Sequence, residues 1–169
     1  MKISLLSSFF PKEKIDVNQQ FSHFPNFEQA KLRSGVNQKF VANKNETALD
    51  LAFNAFKKIE YKNIIKELEL IVFITQTPDY FLPGNSFLLI EKLGLSKDVI
   101  CYDINQACTG FVYGTLIIEQ FMKCKSVNKA ALICSDTYSK FIDKNDRGTS
   151  LLFGDAASIT FFNNLDGIY

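Results

Sequence analysis

The segment DINQACTGFVYG, residues 103–114, places a cysteine in a setting that suits a nucleophile. Cys108 is followed by Gly110 and Gly114, and no charged side chain occurs between it and Glu119. The thiolate is the nucleophilic form of cysteine, and the unpaired N–H groups and dipole at the first turn of a helix stabilise it. The segment therefore indicates a catalytic cysteine, with a buried packing residue as the alternative because free cysteines are commonly found in cores.

The other three cysteines, Cys101, Cys124 and Cys134, are predicted to be packing residues. There is no C-x-x-C pair, and the only histidine, His23, is distant in the sequence, so a zinc site is disfavoured. A disulfide framework is also disfavoured, because the N-terminal residues lack the cleavage site of a secretory signal. We therefore expect no metal and a cytoplasmic location.

Composition excludes two broad classes of partner. The 169 residues contain 19 Lys and Arg against 18 Asp and Glu, which gives a formal net charge of +1. A nucleic-acid or membrane-surface binder would show a basic excess, so we expect neither nucleic acid nor membrane as a partner. The length suits one domain with a sizeable core.

The elements that must position Cys108 follow from the hydrophobic pattern. Apolar strand patterns occupy Met1–Phe10, Leu68–Thr75, Val99–Ile104, Ala130–Ser135 and Ser158–Phe162. Those at Leu68–Thr75 and Val99–Ile104 are expected to form buried strands. Helices are predicted from an Asn45 cap, from Pro83 to Gly94, and from Ala107 to about Lys123. This alternation predicts a three-layer α/β fold, with a mainly parallel central sheet of about five strands and helices on both faces. We expect the Ala107 helix to be buried nearly all round and Cys108 to lie beyond the carboxyl end of a strand, where ligands bind.

Four motifs resemble one enzyme family. The segments DINQACTGFVYG, SDTYSKFIDKNDRGTSLLFGDAASITFF, KLRSGVNQKFVANKNETALDLA and FITQTPDYFLPG are similar to β-ketoacyl-acyl-carrier-protein synthase III, a thiolase-fold condensing enzyme. They follow the family's order, and the likeness extends over essentially the whole chain. The resemblance implies that residues 1–169 form the N-terminal, nucleophile-bearing thiolase-like domain, with the C-terminal half absent.

The resemblance also implies roles for individual residues. Cys108 would attack an acyl-CoA thioester, and the acyl-enzyme would condense with malonyl-acyl-carrier protein in fatty-acid or related acyl-chain biosynthesis. Arg33 and Arg147 would contact the CoA moiety or its carrier-protein equivalent. Leu82 would enter the acyl pocket of the other subunit in a homodimer. Acyl-CoA would be a substrate, and no tightly bound cofactor is implied.

The sequence departs from the family in ways that keep alternatives open. The family's catalytic histidine and asparagine belong to the second half, and His23 does not match their motifs. Gln29 stands where many relatives carry an aromatic residue that stacks on adenine, and Ala156 replaces the second glycine of an F-G-D-G-A motif. The chain could be the nucleophile half of a synthase that cannot complete condensation alone, a non-catalytic dimerising half-domain, or a small cysteine acyltransferase.

Overall fold

A computed structural model describes residues 1–59, 62–124 and 126–164 of the chain. The strands are β1 (Lys2–Phe9), β2 (Glu13–Asp16), β3 (Gln38–Val41), β4 (Leu70–Ile74), β5 (Ile100–Ile104), β6 (Lys129–Asp136) and β7 (Ala156–Asn163). The α-helices are α1 (Val17–Phe21), α2 (Phe27–Ser34), α3 (Ala48–Lys57), α4 (Lys62–Lys66), α5 (Asn85–Leu93), α6 (Gly110–Lys123) and α7 (Arg147–Ser150). Short 3₁₀ helices cover Ala107–Thr109 and Tyr138–Lys140.

The central sheet has five strands in the order β1-β7-β6-β4-β5. Strand β4 pairs in parallel with both β5 and β6, whereas β7 is antiparallel to β6 and to β1. Four strands therefore run in one direction and only β7 is reversed. This mixed sheet, flanked by helices, confirms the predicted α/β class with a mainly parallel sheet.

The core has one apolar layer on each face of the sheet. Alternate residues of β4 supply both layers, since Ile71 and Phe73 pack with α3 and α5, while Val72 and Ile74 pack with α6. All five residues of β4 are buried. Burying an aliphatic or aromatic side chain of this size contributes about 1.5–3 kcal/mol, so burial of β4 contributes strongly to the stability of the sheet.

Helix α3 begins two residues later than the sequence predicted. The N-cap is Thr47, which accepts the Asp50 N–H while the Asp50 carboxylate accepts the Thr47 N–H, as in a capping box. Asn45 was the predicted cap, but its N–H is bound by the Asn43 side chain in the preceding turn. Helix α5 agrees better with the prediction, because it follows Pro83 and ends at Gly94, which has a φ of 65°.

Two elements predicted to be buried are partly exposed. Strand β5 is an edge strand that pairs only with β4, and Tyr102 is 42% exposed. Helix α6 packs on the sheet through one side, and its outer side exposes a row of apolar residues. These residues are Phe111, Val112, Tyr113 and Leu116. The prediction of burial all round α6 was wrong because, within the described ranges, nothing covers that side.

A smaller unit lies beside the main sheet. Strands β2 and β3 form an antiparallel pair, and α1 and α2 lie between them in the chain. Val17, Phe21, Phe27 and Leu151 form its apolar cluster, and Leu151 directly follows α7. Pro25 lies between α1 and α2, where it prevents a single longer helix.

Candidate active site

Cys108 is exposed at the turn that joins β5 to α6. Because β4, β5 and β6 are parallel, their carboxyl ends meet at one edge of the sheet, and the turn after β5 lies at this edge. Ligands of open α/β sheets bind at such edges. The structure thus places Cys108 at the position that the sequence predicted.

The turn around Cys108 has an unusual backbone. Ala107 has a φ of 44°, in the left-handed region that L-residues with a Cβ rarely adopt. Thr109 closes the turn, since its N–H and its hydroxyl both donate to the carbonyl oxygen of Gln106, the hydroxyl at 2.8 Å. The sharp turn places Cys108 in the 3₁₀ segment that leads directly into α6.

Two glycines bring α6 close to the sheet beneath Cys108. A Cβ on Gly110 would lie 2.4 Å from Cγ2 of Ile74, and a Cβ on Gly114 would lie 2.5 Å from Cδ1 of Leu132. Non-bonded carbon atoms do not approach each other this closely. The glycines therefore allow the backbone of α6 to lie close to β4 and β6, which sets the distance of the helix N-terminus from the sheet.

Asp136 holds the loop that follows β4. One of its carboxylate oxygens, Oδ1, accepts the N–H groups of Gln76 at 2.7 Å and Thr77 at 3.1 Å. The same oxygen accepts the hydroxyls of Thr75 at 3.0 Å and Thr77 at 3.1 Å. The carboxyl ends of β4 and β6 are thereby joined by one carboxylate.

Asp103 joins the end of β5 to the N-terminus of α5. Both of its carboxylate oxygens lie 3.2 Å from the Ser86 N–H, and the Ser86 hydroxyl also donates to it. A Cβ on Gly84 would lie 2.4 Å from Oδ2 of Asp103, so only glycine leaves room for this contact. Desolvation raises the pKa of Asp103, although the residue is partly exposed, and the hydrogen bonds from Ser86 oppose the shift.

The loop between β4 and α5 is held at both ends by these contacts and carries an apolar tip. Asn85 is fully buried and donates to Asp79, whose carboxylate also accepts the Leu49 N–H. Between them Phe81 is fully exposed and Leu82 is 86% exposed. Leu82 is therefore not packed against the described part of this chain, and its role in contact with a second subunit stays a prediction.

Arg33 and Arg147 belong to the smaller unit rather than to the turn at Cys108. Both are exposed, Arg33 in α2 and Arg147 at the start of α7. The Nη1 atom of Arg147 donates to the Pro25 carbonyl at 2.7 Å, which ties α7 to the loop before α2. The structure brings the elements that carry the two arginines together around one apolar cluster.

The remaining cysteines differ from one another. Cys101 and Cys134 are half-buried, whereas Cys124 is exposed at the C-terminal end of α6, so its prediction as a packing residue was wrong. Among the described residues, no group of three His, Cys, Asp or Glu side chains could hold a metal ion. None of the described helices has the length and apolarity needed to cross a membrane.

Sequence reasoning missed Asp103, Asp136 and the Asp79–Asn85 pair. A signal was present for two of them, because Asp103 and Asp136 each fall near the carboxyl end of an apolar strand. Their partners lie about 17 and 60 residues away in the sequence. No local pattern predicts such contacts.

Comparison with known proteins relates the chain to one family. Residues 102–165 match the sequence profile of a family described as 3-oxoacyl-[acyl-carrier-protein (ACP)] synthase III. The chain is 35% identical over 161 residues to a β-ketoacyl-[acyl-carrier-protein] synthase III of Limosilactobacillus reuteri, covering 93% of this chain and 49% of that protein. It is 34% identical over 163 residues to the enzyme of the same name from Clostridium acetobutylicum, covering 94% and 49%.

Solved structures give the same result. The 3-oxoacyl-(acyl-carrier protein) synthase of Burkholderia xenovorans superposes with a TM-score of 0.91 at 29% identity, covering 98% of this chain and 49% of that one. The 3-oxoacyl-[acyl-carrier-protein] synthase III of Aquifex aeolicus superposes with a TM-score of 0.88 at 28% identity, covering 98% and 54%. The chain spans about half the length of the curated relatives it matches.

The sheet order and the cysteine at the turn into α6 place the chain in the thiolase-fold class, to which condensing enzymes belong. Within this class, sequence and fold together relate the chain to the N-terminal half of β-ketoacyl-acyl-carrier-protein synthase III.

Proposed function

We propose that this chain is the nucleophile-bearing half of a synthase III-type acyltransferase, in which Cys108 accepts an acyl group from acyl-CoA. One observation carries the proposal. Cys108 is exposed at the edge of the sheet where parallel strands end, two residues before a 14-residue helix that points its N-terminus toward it. A relative matched by sequence and a solved structure matched by fold are named β-ketoacyl-[acyl-carrier-protein] synthase III and 3-oxoacyl-(acyl-carrier protein) synthase.

The acyl transfer follows from the properties of a thiolate. The Cys108 sulfur attacks the thioester carbonyl carbon and forms a new C–S bond, and the carbonyl oxygen becomes negatively charged. The intermediate collapses by breaking the bond to the CoA sulfur, which leaves as a thiolate and takes up a proton. The N–H of Cys108 would be one donor to the oxyanion, and the resemblance assigns the second donor to the other half of the family's chain.

Binding of CoA would fall to the smaller unit. Arginine is permanently charged, and its planar fork can bind two phosphate oxygens at once. Arg33 and Arg147 are exposed on neighbouring elements, which supports a shared role in holding CoA or its carrier-protein equivalent. Gln29 is exposed on α2, so an adenine at this place would lack the aromatic partner that many relatives carry.

The condensation step needs residues that the described chain does not supply. In the family a histidine and an asparagine of the second half stabilise the enolate formed when malonyl-acyl-carrier protein loses carbon dioxide. His23 lies beside Phe24 in the loop between α1 and α2, away from the turn at Cys108. Loss of a single oxyanion donor lowers a rate by about 10²–10³-fold. We therefore expect the 169-residue polypeptide to acylate slowly and not to condense.

Mass spectrometry separates these steps. The polypeptide is incubated with acetyl-CoA and malonyl-acyl-carrier protein, and both the intact protein and the small products are analysed. We expect an acetyl adduct on the protein and no β-ketoacyl product. The adduct should be lost in Cys108→Ala and retained in Cys124→Ala, the control variant, because Cys124 is the other exposed cysteine.

Two other outcomes would change the assignment. A β-ketoacyl product that disappears in Cys108→Ala would show that this chain contains all the groups needed for condensation. If neither adduct nor product forms, the polypeptide behaves as a non-catalytic half-domain, and the acyltransferase proposal fails for it.

A further inference from the structure

A cavity lies on the smaller unit, and Cys108 does not line it. Its volume is about 320 Å³, within the range of small-molecule sites. It lies between the β2–β3 pair, α1 and the segment 139–153, and none of its lining residues belongs to β5, to the turn at Cys108 or to α6. The residues that matter for binding are Gln20, Phe21, Lys39, Lys44, Lys144 and Ser150.

The lining carries an excess of positive charge. Three lysines, Lys39, Lys44 and Lys144, face one carboxylate, that of Glu13. The charge of Asp155, whose carboxylate accepts the N–H groups of Ala42 and Ser139, also acts on Lys39 and offsets one of the lysines, which still leaves three lysines against two carboxylates. The cavity therefore favours an anion.

Lys39 is held in place at the wall of the cavity. Its ammonium donates to the Ser150 carbonyl and lies 4.8 Å from the centre of the Phe21 ring. Burial lowers the pKa of Lys39, the charge of Asp155 raises it, and the charge of Lys144 lowers it. Two lysines thus repel each other across a partly desolvated space, a repulsion that an anion between them would relieve.

Two buried polar atoms at the cavity lack a partner. Ser150 is 2% exposed, and its Oγ has no hydrogen-bond partner among the residues that the structure describes. The same holds for Oε1 of Gln20, so far as the described ranges extend. Buried polar groups are nearly always hydrogen-bonded, so the Ser150 hydroxyl is left to donate to a bound anion and Oε1 of Gln20 is left to accept from a hydroxyl of its organic part.

We propose that this cavity binds the phosphate group of a small phosphorylated molecule. The ammonium groups of Lys39 and Lys144 and the hydroxyl of Ser150 donate to the phosphate oxygens. The ring of Phe21 and the other apolar side chains of the wall contact the organic part of the molecule. The site does not depend on the proposed acyl transfer, because its lining excludes Cys108 and both Arg33 and Arg147.

The test measures binding of glycerol 3-phosphate, inorganic phosphate and glycerol by isothermal titration calorimetry at constant ionic strength. We expect both phosphate compounds to bind saturably and glycerol not to bind. A hydrogen bond to a charged group corresponds to about a tenfold change in affinity, so Lys144→Ala should weaken phosphate binding about tenfold.

Ser150→Ala gives the sharpest contrast. The hydroxyl has no partner in the free protein, so its removal should leave the melting temperature unchanged or raise it while weakening phosphate binding. Lys14→Ala is the matched control, because it removes one exposed positive charge of the same unit from β2, outside the cavity and outside the proposed CoA site. The proposal is overturned if no phosphate compound binds saturably, or if Lys14→Ala weakens binding as much as Lys144→Ala does.

Discussion

Two of the four thiols are exposed, and they lie at opposite ends of one helix. Cys108 lies two residues before α6, where the positive end of the helix dipole stabilises a thiolate, whereas Cys124 is the C-cap residue, where the dipole disfavours negative charge. Each end contributes about 0.3–1 kcal/mol. We therefore expect limiting iodoacetamide near neutral pH to label Cys108 at least about threefold faster than Cys124, as measured by peptide mapping.

The half-buried thiols provide the internal comparison for this experiment. Burial raises the pKa of Cys101, and burial together with the negative charge of Asp136 raises the pKa of Cys134 to about 11. Both should react more slowly than the exposed thiols in the native protein, and all four should react alike in urea. Equal native labelling of Cys108 and Cys124 would contradict the argument from the helix dipole.

At the residue scale, the sequence predicted the position of Cys108 but not the geometry around it. An apolar strand followed by a helix is enough to place a cysteine at the edge of a sheet. The left-handed backbone of Ala107 has no sequence signal, because alanine does not favour that conformation. The contact of Asp103 with Ser86 is equally hidden, since it joins two elements that only the folded sheet brings together.

At the scale of elements, the packing of α6 on the sheet is sensitive to a single substitution at Gly114. A Cβ on Gly114 would lie 2.5 Å from Leu132 and 3.3 Å from both Ile74 and Val72, all of which are buried. Added volume at such a site costs about 1–3 kcal/mol, and the better helix propensity of alanine returns up to about 1 kcal/mol. Gly114→Ala should therefore lower the free energy of unfolding by about 1–2 kcal/mol in urea denaturation.

A substitution at a second glycine separates the effect of packing from the effect of helix propensity. Gly148 lies in α7, and a Cβ there would meet only a side-chain oxygen of Asp146 at 3.3 Å. Gly148→Ala should leave the free energy of unfolding nearly unchanged. If Gly114→Ala were as stable as Gly148→Ala, the close approach of α6 to the sheet would not be what limits this position.

The elements that the sequence predicted well are those with a strong local pattern. Strand β4 is a continuous apolar run, and α3 repeats apolar residues at helical spacing, so both were placed within about two residues. The β2–β3 pair was missed because EKID and QKFV are short and largely polar. The exposure of β5 was missed because an apolar run does not reveal whether its strand lies at the edge or in the centre of a sheet.

Over the whole molecule, exposed apolar side chains occur at many places in the described chain, Leu6 on β1 and Phe141 among them, and three features carry several of them close together in sequence. These features are the outer side of α6 with Tyr113 and Leu116, the edge strand β5 with Tyr102, and the loop tip with Phe81 and Leu82. Tyr102, Tyr113 and Leu116 also line one groove of about 320 Å³. Contiguous apolar surface and an unpaired strand edge both favour association with another chain.

We therefore predict that the 169-residue chain self-associates, most simply as a two-fold dimer. Burial of one leucine side chain contributes about 1.5–3 kcal/mol, and a symmetric dimer buries each residue twice. Leu82→Ser should thus weaken the dimer by more than tenfold in sedimentation velocity. Leu32→Ser changes an equally exposed leucine on α2, away from these features, and should leave the dimer intact. A monomer mass for the unmodified chain over a wide concentration range would contradict this prediction, because the loop tip and α6 would then stay exposed to solvent without driving association.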